Sequence, residues 1–197
     1  MAGLIAAIVL AAGESGRLGR PKQLLAYRGR TLVRHVVECA AAGGCDPVLV
    51  VLGARAREVG HEVEQTAAHA VLNPRWSEGL GSSVRAGVEA LQSGWPQAAG
   101  VLLLACDQPR ITADLVRGLL EQLAEPGRRI VACSYAGTVG VPALFDRSLF
   151  PELAALAGPG GAKAVIRSHW AELTRWPWPD GAFDIDVTAD VEDLDRP

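Results

Sequence analysis

The chain has 197 residues, 49% of them apolar, with 19 Lys and Arg against 22 Asp and Glu and a formal net charge of −3. Such a length suffices for one compact domain with a substantial core, and scattered basic residues on a slightly acidic chain argue against nucleic acid or an anionic membrane as the main partner. No stretch reaches the ~18 uninterrupted apolar residues that a membrane span needs, and the apolar run that opens the chain lacks the basic residues that lead a signal peptide.

Apolar runs alternate with amphipathic stretches along the whole chain. Residues 4–10 read as a buried first strand. Thr31 is placed to cap a helix in which Leu32, Val33, Val36, Val37 and Ala40 share one face, ended by Gly43-Gly44. Val48–Leu52 is a second buried strand, 55–67 a more polar helix and 70–72 a short third strand, followed by the loop Asn73-Pro-Arg-Trp-Ser-Glu-Gly-Leu-Gly-Ser-Ser83. A helix is expected over 83–92, and Gly100–Ala105 is the most strand-like run. Thr112 caps a helix with Leu115, Val116, Leu119, Leu120 and Leu123 on its apolar face. Residues 129–134 are strand again; helices follow over 148–157 and 161–170, and a last strand reaches Asp186. Continuous apolar strands separated by helices predict an α/β fold, a Rossmann-like single domain whose mostly parallel sheet carries helices on both faces. Ligands of such sheets lie beyond the carboxyl ends of the strands.

Cys39, Cys45, Cys106 and Cys133 form no C-x-x-C pair, and His35, His61, His69 and His169 have no metal-ligand spacing. Packing explains the thiols, with a reducing cytoplasm as the default compartment.

The segment Leu10-Ala-Ala-Gly-Glu-Ser-Gly-Arg-Leu-Gly-Arg-Pro-Lys22 directly follows the first strand. Glycines at 13, 16 and 19 allow sharp turns and bring bare N–H groups close to an anion, while Arg17 and Lys22 add positive charge. The spacing G-x-x-G-x-x-G is not the dinucleotide fingerprint, and Gly19 is followed by Arg-Pro-Lys, not by the Lys-Ser/Thr of a Walker loop. Phosphate binding is the better reading; a plain strand-to-helix turn is the alternative.

The pattern L-A-A-G-x-S-x-R-x-G-x-x-K resembles the nucleotidyltransferases of molybdenum cofactor maturation, and more distantly the sugar-phosphate and methylerythritol cytidylyltransferases. The resemblance runs through N-P-x-W-x-E-G-L-G-S-S at 73–83, C-D-Q-P at 106–109, G-V-P-A-L-F at 140–145 and D-I-D at 184–186. It is strongest to the cytidylyltransferases, since the guanylyltransferases carry L-A-G-G where this chain has Ala12. Two departures bear on the acceptor: Gly158-Pro159-Gly160-Gly161-Ala162-Lys163 replaces Gly-Asp-x-Gly-Ala-Arg, and Val187 replaces a Thr.

The resemblance implies a fold of the nucleotide-diphospho-sugar transferase type in one domain over 1–197. Residues up to about 110 bind nucleotide, and 111–197 bind the acceptor. It implies transfer of CMP from CTP to the phosphate of molybdopterin, with Mg²⁺ as cofactor and an apo-molybdoenzyme as possible recipient of the product. Arg17, Lys22 and Asp107 are the expected catalytic residues. Leu10, Ala11, Ala12, Gly13, Arg17, Lys22, Asn73, Gly79, Gly81, Ser82 and Ser83 are expected to contact the nucleotide.

Asp107 ends an apolar strand, where a carboxylate faces the ligand crevice and suits Mg²⁺ on phosphates; capping of a turn before Pro109 is the alternative. The resemblance implies Asp186 as the second metal ligand, with Asp184 as competitor; strand alternation puts both on one face and does not choose between them. Ser82 or Ser83 begins a helix and offers N–H and hydroxyl groups to a base or ribose, or simply caps it. Trp76 covers the base or packs the loop. Lys163 and Arg167, one helical turn apart, meet acceptor anions or form a solvated basic face. Rival readings are a transferase using GTP or a sugar-phosphate acceptor, and a non-catalytic carrier of the cofactor.

Overall fold

In the computed structural model, which describes residues 3–192 and 194, the elements follow the order β1 (Ile5–Ala11), β2 (Ala26–Tyr27), β3 (Arg30–Thr31), α1 (Leu32–Ala42), β4 (Val48–Leu52), α2 (Ala56–Val63), β5 (His69–Leu72), α3 (Leu80–Gly94) and β6 (Gly100–Ala105). The second part adds α4 (Ala113–Leu123), β7 (Ile130–Tyr135), β8 (Thr138–Asp146), α5 (Phe150–Ala154), α6 (Lys163–Ser168), β9 (Leu173–Pro177) and α7 (Thr188–Glu192). Seven strands form one sheet in the order β5-β4-β1-β6-β8-β7-β9, and β2 pairs with β3. All neighbours in the large sheet are parallel except β8, which runs antiparallel to β6 and β7.

Period-two alternation in β1 divides the core. Ala7, Val9 and Ala11 face one layer with Val36 of α1, Val59 of α2 and Val116 of α4. Ala6, Ile8 and Leu10 face the other, with Val84 and Val88 of α3, Leu153 of α5 and Ile166 of α6. Because both faces are covered, the central strands β1, β4 and β6 are apolar throughout, as expected for a doubly covered sheet. Among the described residues, no helix is long and apolar enough to cross a membrane.

Local expectations fared unevenly. The Thr112 hydroxyl caps α4 by accepting from the Leu115 amide at 3.2 Å. Thr31 occupies the cap position of α1, but its hydroxyl donates to Glu62 at 2.9 Å instead. The helix expected over 83–92 starts earlier: Gly79 takes the cap position of α3, so Ser82 and Ser83 lie inside its first turn. The helices expected over 55–67, 148–157 and 161–170 are shorter than their apolar patterns.

Residues 140–145 belong to strand β8, which takes in Gly140 and Pro142. The β7–β8 register passes from Ala132↔Ala143 to Cys133↔Gly140, so Val141 and Pro142 are left out of the ladder. Pro is tolerated there because a bulge needs no ladder N–H from it. The last strand stops at Pro177, and 183–187 is irregular. The alternation argument for Asp184 and Asp186 therefore has no strand to act on.

Candidate active site

A cavity of about 400 Å³ opens beyond the carboxyl ends of β1 and β6. Leu10, Ala12, Gly13 and Glu14 form one wall, Trp76, Ser77, Gly79, Leu80 and Ser83 another, and Ala105, Cys106, Asp107 and Val141 the base, with Lys22 and Gln23 at the side. Register explains this convergence. Leu10 pairs with Ala105, so the loops leaving both strands start level with each other. The β8 bulge frees Val141, whose carbonyl accepts from Tyr135 Oη at 2.8 Å and from Gln108 Nε2 at 3.3 Å.

Of the nucleotide-contact candidates, Leu10, Ala12, Gly13, Lys22, Gly79 and Ser83 line the cavity, as does Asp107. Ala11, Arg17, Asn73, Gly81, Ser82 and Asp186 are not among its walls. Asn73 is buried and braces the second loop: its Nδ2 donates to the hydroxyls of Ser82 at 2.9 Å and Ser83 at 3.1 Å, and its Oδ1 accepts from the Arg75 amide. The Ser82 hydroxyl donates to backbone carbonyls of the same loop. Gly79 and Gly81 are required by close approach. A Cβ on Gly79 would lie 2.8 Å from the Gly158 carbonyl, one on Gly81 would lie 2.8 Å from that of Ala157, and the Gly81 amide already donates to Gly158 O. In contrast, a Cβ on Gly13 or Gly16 would meet no atom within 4 Å. Packing does not demand those glycines, which weakens the plain-turn reading of the first loop.

Charged groups meet at the side of the cavity. Lys22 Nζ forms an ion pair with Asp107 and donates to the Ile185 carbonyl at 3.3 Å. Arg17 pairs with Asp186. Burial alone would lower the Lys22 pKa, but the Asp107 carboxylate offsets it and the net shift is upward, so Lys22 is a cation at neutral pH. The Asp184 carboxyl is raised, first by partial burial and then by the charge of Asp107, with a smaller contribution from Asp186. The segment 184–186 is tied to the strand end by the Ile185 amide, which donates to Asp107 O at 2.9 Å, and by the buried Ile185 side chain, clustered with Leu18 of the first loop. Thus the D-I-D segment reaches the strand-end carboxylate through hydrogen bonds and packing, without being a strand.

Asp107 and Asp186, each paired with a cation, carry oxygens of the kind that Mg²⁺ takes. Among the described residues, no group of three or more His, Cys, Asp or Glu side chains converges enough to hold a metal alone. An ion here fits only if phosphate oxygens and water complete its shell, the usual arrangement for Mg²⁺. Cys106 is buried, and burial pushes its thiol up; the Cys45 and Cys133 thiols are pushed up to about 12 for the same reason. Protonated, buried thiols are packing groups.

Sequence reasoning missed Gln23 and Gln108. Gln108 Nε2 lies within 3.5 Å of Tyr135 Oη, Val141 O and Gly181 O, joining three segments behind Asp107. Buried amides that brace backbone leave no periodic signal; their only mark was adjacency to Lys22 and Asp107.

Residues 7–173 match the family model described as the MobA-like NTP transferase domain. The chain belongs to the MobA-like NTP transferase family. It is therefore a nucleotidyltransferase, and the cavity lies where ligands of such sheets bind. The chain is 34% identical over 200 residues to nicotine blue oxidoreductase of Paenarthrobacter nicotinovorans, covering 97% of this chain and 92% of that protein. It is 35% identical over 114 residues to a probable molybdenum cofactor guanylyltransferase of Opitutus terrae, covering 57% of this chain and 52% of that one. The crystal structure of Rv0371c from Mycobacterium tuberculosis H37Rv superimposes with a TM-score of 0.81 at 31% identity, over 98% of each chain. A second structure of that protein is a manganese complex, with a TM-score of 0.77 at 30% identity over 98% of each chain.

Proposed function

We propose that this nucleotidyltransferase moves CMP from CTP to the phosphate of molybdopterin, releasing pyrophosphate and forming the cytosine dinucleotide. The observation that carries the reading is the meeting of Lys22, Arg17, Asp107 and Asp186 beside a cavity walled by the first glycine loop. An acceptor phosphate is ionised at neutral pH, so attack on the α-phosphorus needs no general base. One phosphate oxygen forms the new P–O bond while the bond to the β-phosphate breaks, and pyrophosphate carries away its electrons. The chain supplies alignment and charge: Lys22 and Arg17 neutralise the oxygens that become more negative during transfer. Asp107 and Asp186 would hold a Mg²⁺ ion, which when bound neutralises phosphate charge.

The choice of CTP leans on the resemblance at Ala12, a residue that lines the cavity; its methyl is buried beside Gly53 and Trp76, since a Cβ on Gly53 would lie 2.8 Å from Ala12 Cβ and 2.7 Å from Trp76 Cβ. Residues up to about 110 form the nucleotide part, and 111–197 the acceptor part. There Lys163 and Arg167 flank a smaller hollow with Gly137, Thr138 and Trp170. Four free cysteines, three of them buried, support a reducing cytoplasmic setting, in which the product would pass to an apo-molybdoenzyme.

A second reading, oxidoreduction, is favoured by the 34% identity to a protein named as an oxidoreductase over nearly the whole chain. Kinetic competition between CTP and GTP, followed by pyrophosphate release with a molybdopterin acceptor, separates the readings. Preference for CTP is the expected result. Equal use of both triphosphates removes the cytidylyl assignment, and absence of pyrophosphate release with either of them removes transfer.

A further inference from the structure

Gln23 is 1% exposed, yet its side-chain amide is spent on the backbone of the first loop. Its Nε2 donates to the Ala11 carbonyl at 3.0 Å and the Gly13 carbonyl at 2.8 Å, and its Oε1 accepts from the Ser15 hydroxyl at 3.4 Å. The carbonyl between them, Ala12 O, accepts from the Ala54 amide at 3.1 Å. Three successive carbonyls are therefore held by the protein. In a planar trans peptide the N–H of the next residue points opposite to the carbonyl. Holding Ala12 O and Gly13 O consequently turns the amides of Gly13 and Glu14 away from Ala54 and Gln23, and both residues line the cavity. Among the described residues, no backbone carbonyl accepts from the amides of Gly13, Glu14, Gly16 or Arg17. A run of free amides in a turn makes an anion cradle.

We propose that Gln23 is a positioning residue that orients the peptides of residues 11–14, so that the Gly13 and Glu14 amides meet the triphosphate. The proposal rests on the reading of this loop as the triphosphate site. Gln23 itself gives no hydrogen bond to phosphate; it sets the direction of groups that do. Burial of a neutral amide at this point, directly after Lys22, also leaves the positive charge of Lys22 unopposed by the brace.

The test uses inorganic tripolyphosphate, which has no base, and cytidine, which has no phosphate. Dissociation constants are measured by titration calorimetry for the wild type, Gln23→Met, Gln23→Glu and Lys22→Ala. Gln23→Met keeps the length without the donors, and Gln23→Glu keeps the shape while setting a carboxylate against two carbonyls. The expected result is tripolyphosphate binding about tenfold weaker in Gln23→Met and weaker still in Gln23→Glu, with cytidine binding unchanged. If Gln23→Met does not fold, Gln23→Leu, which is also neutral and lacks the donors, decides. Equal losses for both ligands would make Gln23 a support of the fold alone and overturn the proposal. Unchanged tripolyphosphate binding in the Gln23 variants, with a loss in Lys22→Ala, would also overturn it while leaving the loop reading intact. Unchanged binding in all three would remove the loop reading itself.

Discussion

At the side of the cavity, Lys22 and Arg17 each meet a carboxylate, and the loop carbonyls are held by Gln23 and Ala54. At the smaller hollow, Lys163 and Arg167 meet no carboxylate among the described residues, and α6 is anchored instead by its apolar face, Val165 and Ile166. The difference shows up in exposure: the side chains of Lys22 and Asp107 are 18% and 22% exposed. A paired, half-buried couple such as Lys22–Asp107 holds its geometry before a ligand arrives, whereas exposed cations, Arg17 among them, cost little to rearrange. The Lys22–Asp107 pair at the cavity is thus prebuilt for charge, and the cations of the smaller hollow are left adaptable. The departures from the family pattern, Gly158-Pro-Gly-Gly161, fall against the backbone of Gly79 and Gly81.

Substitutions at the two places should therefore differ in scale. Asp107→Ala, which removes the carboxylate nearest Lys22, is expected to abolish metal-dependent transfer, with Asp186→Ala next and Asp184→Ala milder, as read by turnover across a Mg²⁺ titration. Lys22→Ala and Arg17→Ala should each lower turnover by about 10²-fold or more with the fold intact. Lys22 should show the greater loss, since Arg17 is 77% exposed. Near-normal turnover in both would break the comparison. Ala12→Gly should erode a CTP preference of about 10–200-fold over GTP, the range one such contact supplies; a preference that survives unchanged would remove the methyl argument. Lys163→Ala and Arg167→Ala should raise the acceptor KM only about two- to fivefold, with the CTP KM unmoved.

The smallest effect concerns His169, outside the cavity. Its ring hydrogen-bonds Glu152 at 2.8 Å and Glu172 at 3.3 Å, and the first of these does most to raise its pKa above the ordinary 6.5. A raised folded-state pKa stabilises fully below about 6.5 and fades as pH rises through the folded value. The Tm advantage of the wild type over His169→Gln should be largest at about pH 5–6, where His169 is charged and its Glu partners are ionised, and vanish in alkali.

Legibility in the sequence followed burial. Val48–Leu52 and Gly100–Ala105 were bounded to the residue because strands covered on both faces must be apolar throughout. The strand through Gly140 and Pro142 was hidden because a bulge reverses the usual meaning of both residues. Arg17, Lys22 and Asp107 stood out as charges beside apolar strands, and the structure brings Lys22 to Asp107 across 85 positions of sequence. Asn73, by contrast, looked like a nucleotide contact and is buried under Ser82 and Ser83. Side chains that hydrogen-bond backbone carry no pattern that periodicity can detect, and Gln23 is the clearest case.

The most direct test follows the α-phosphorus. CTP labelled at that atom, incubated with Mg²⁺, molybdopterin and the protein, should pass its label to the acceptor and release one pyrophosphate for each label moved. The Lys22→Ala protein should move little of it. Label that stays with the nucleotide while the wild type binds CTP, or pyrophosphate released with the label recovered as free CMP, would contradict transfer to that acceptor.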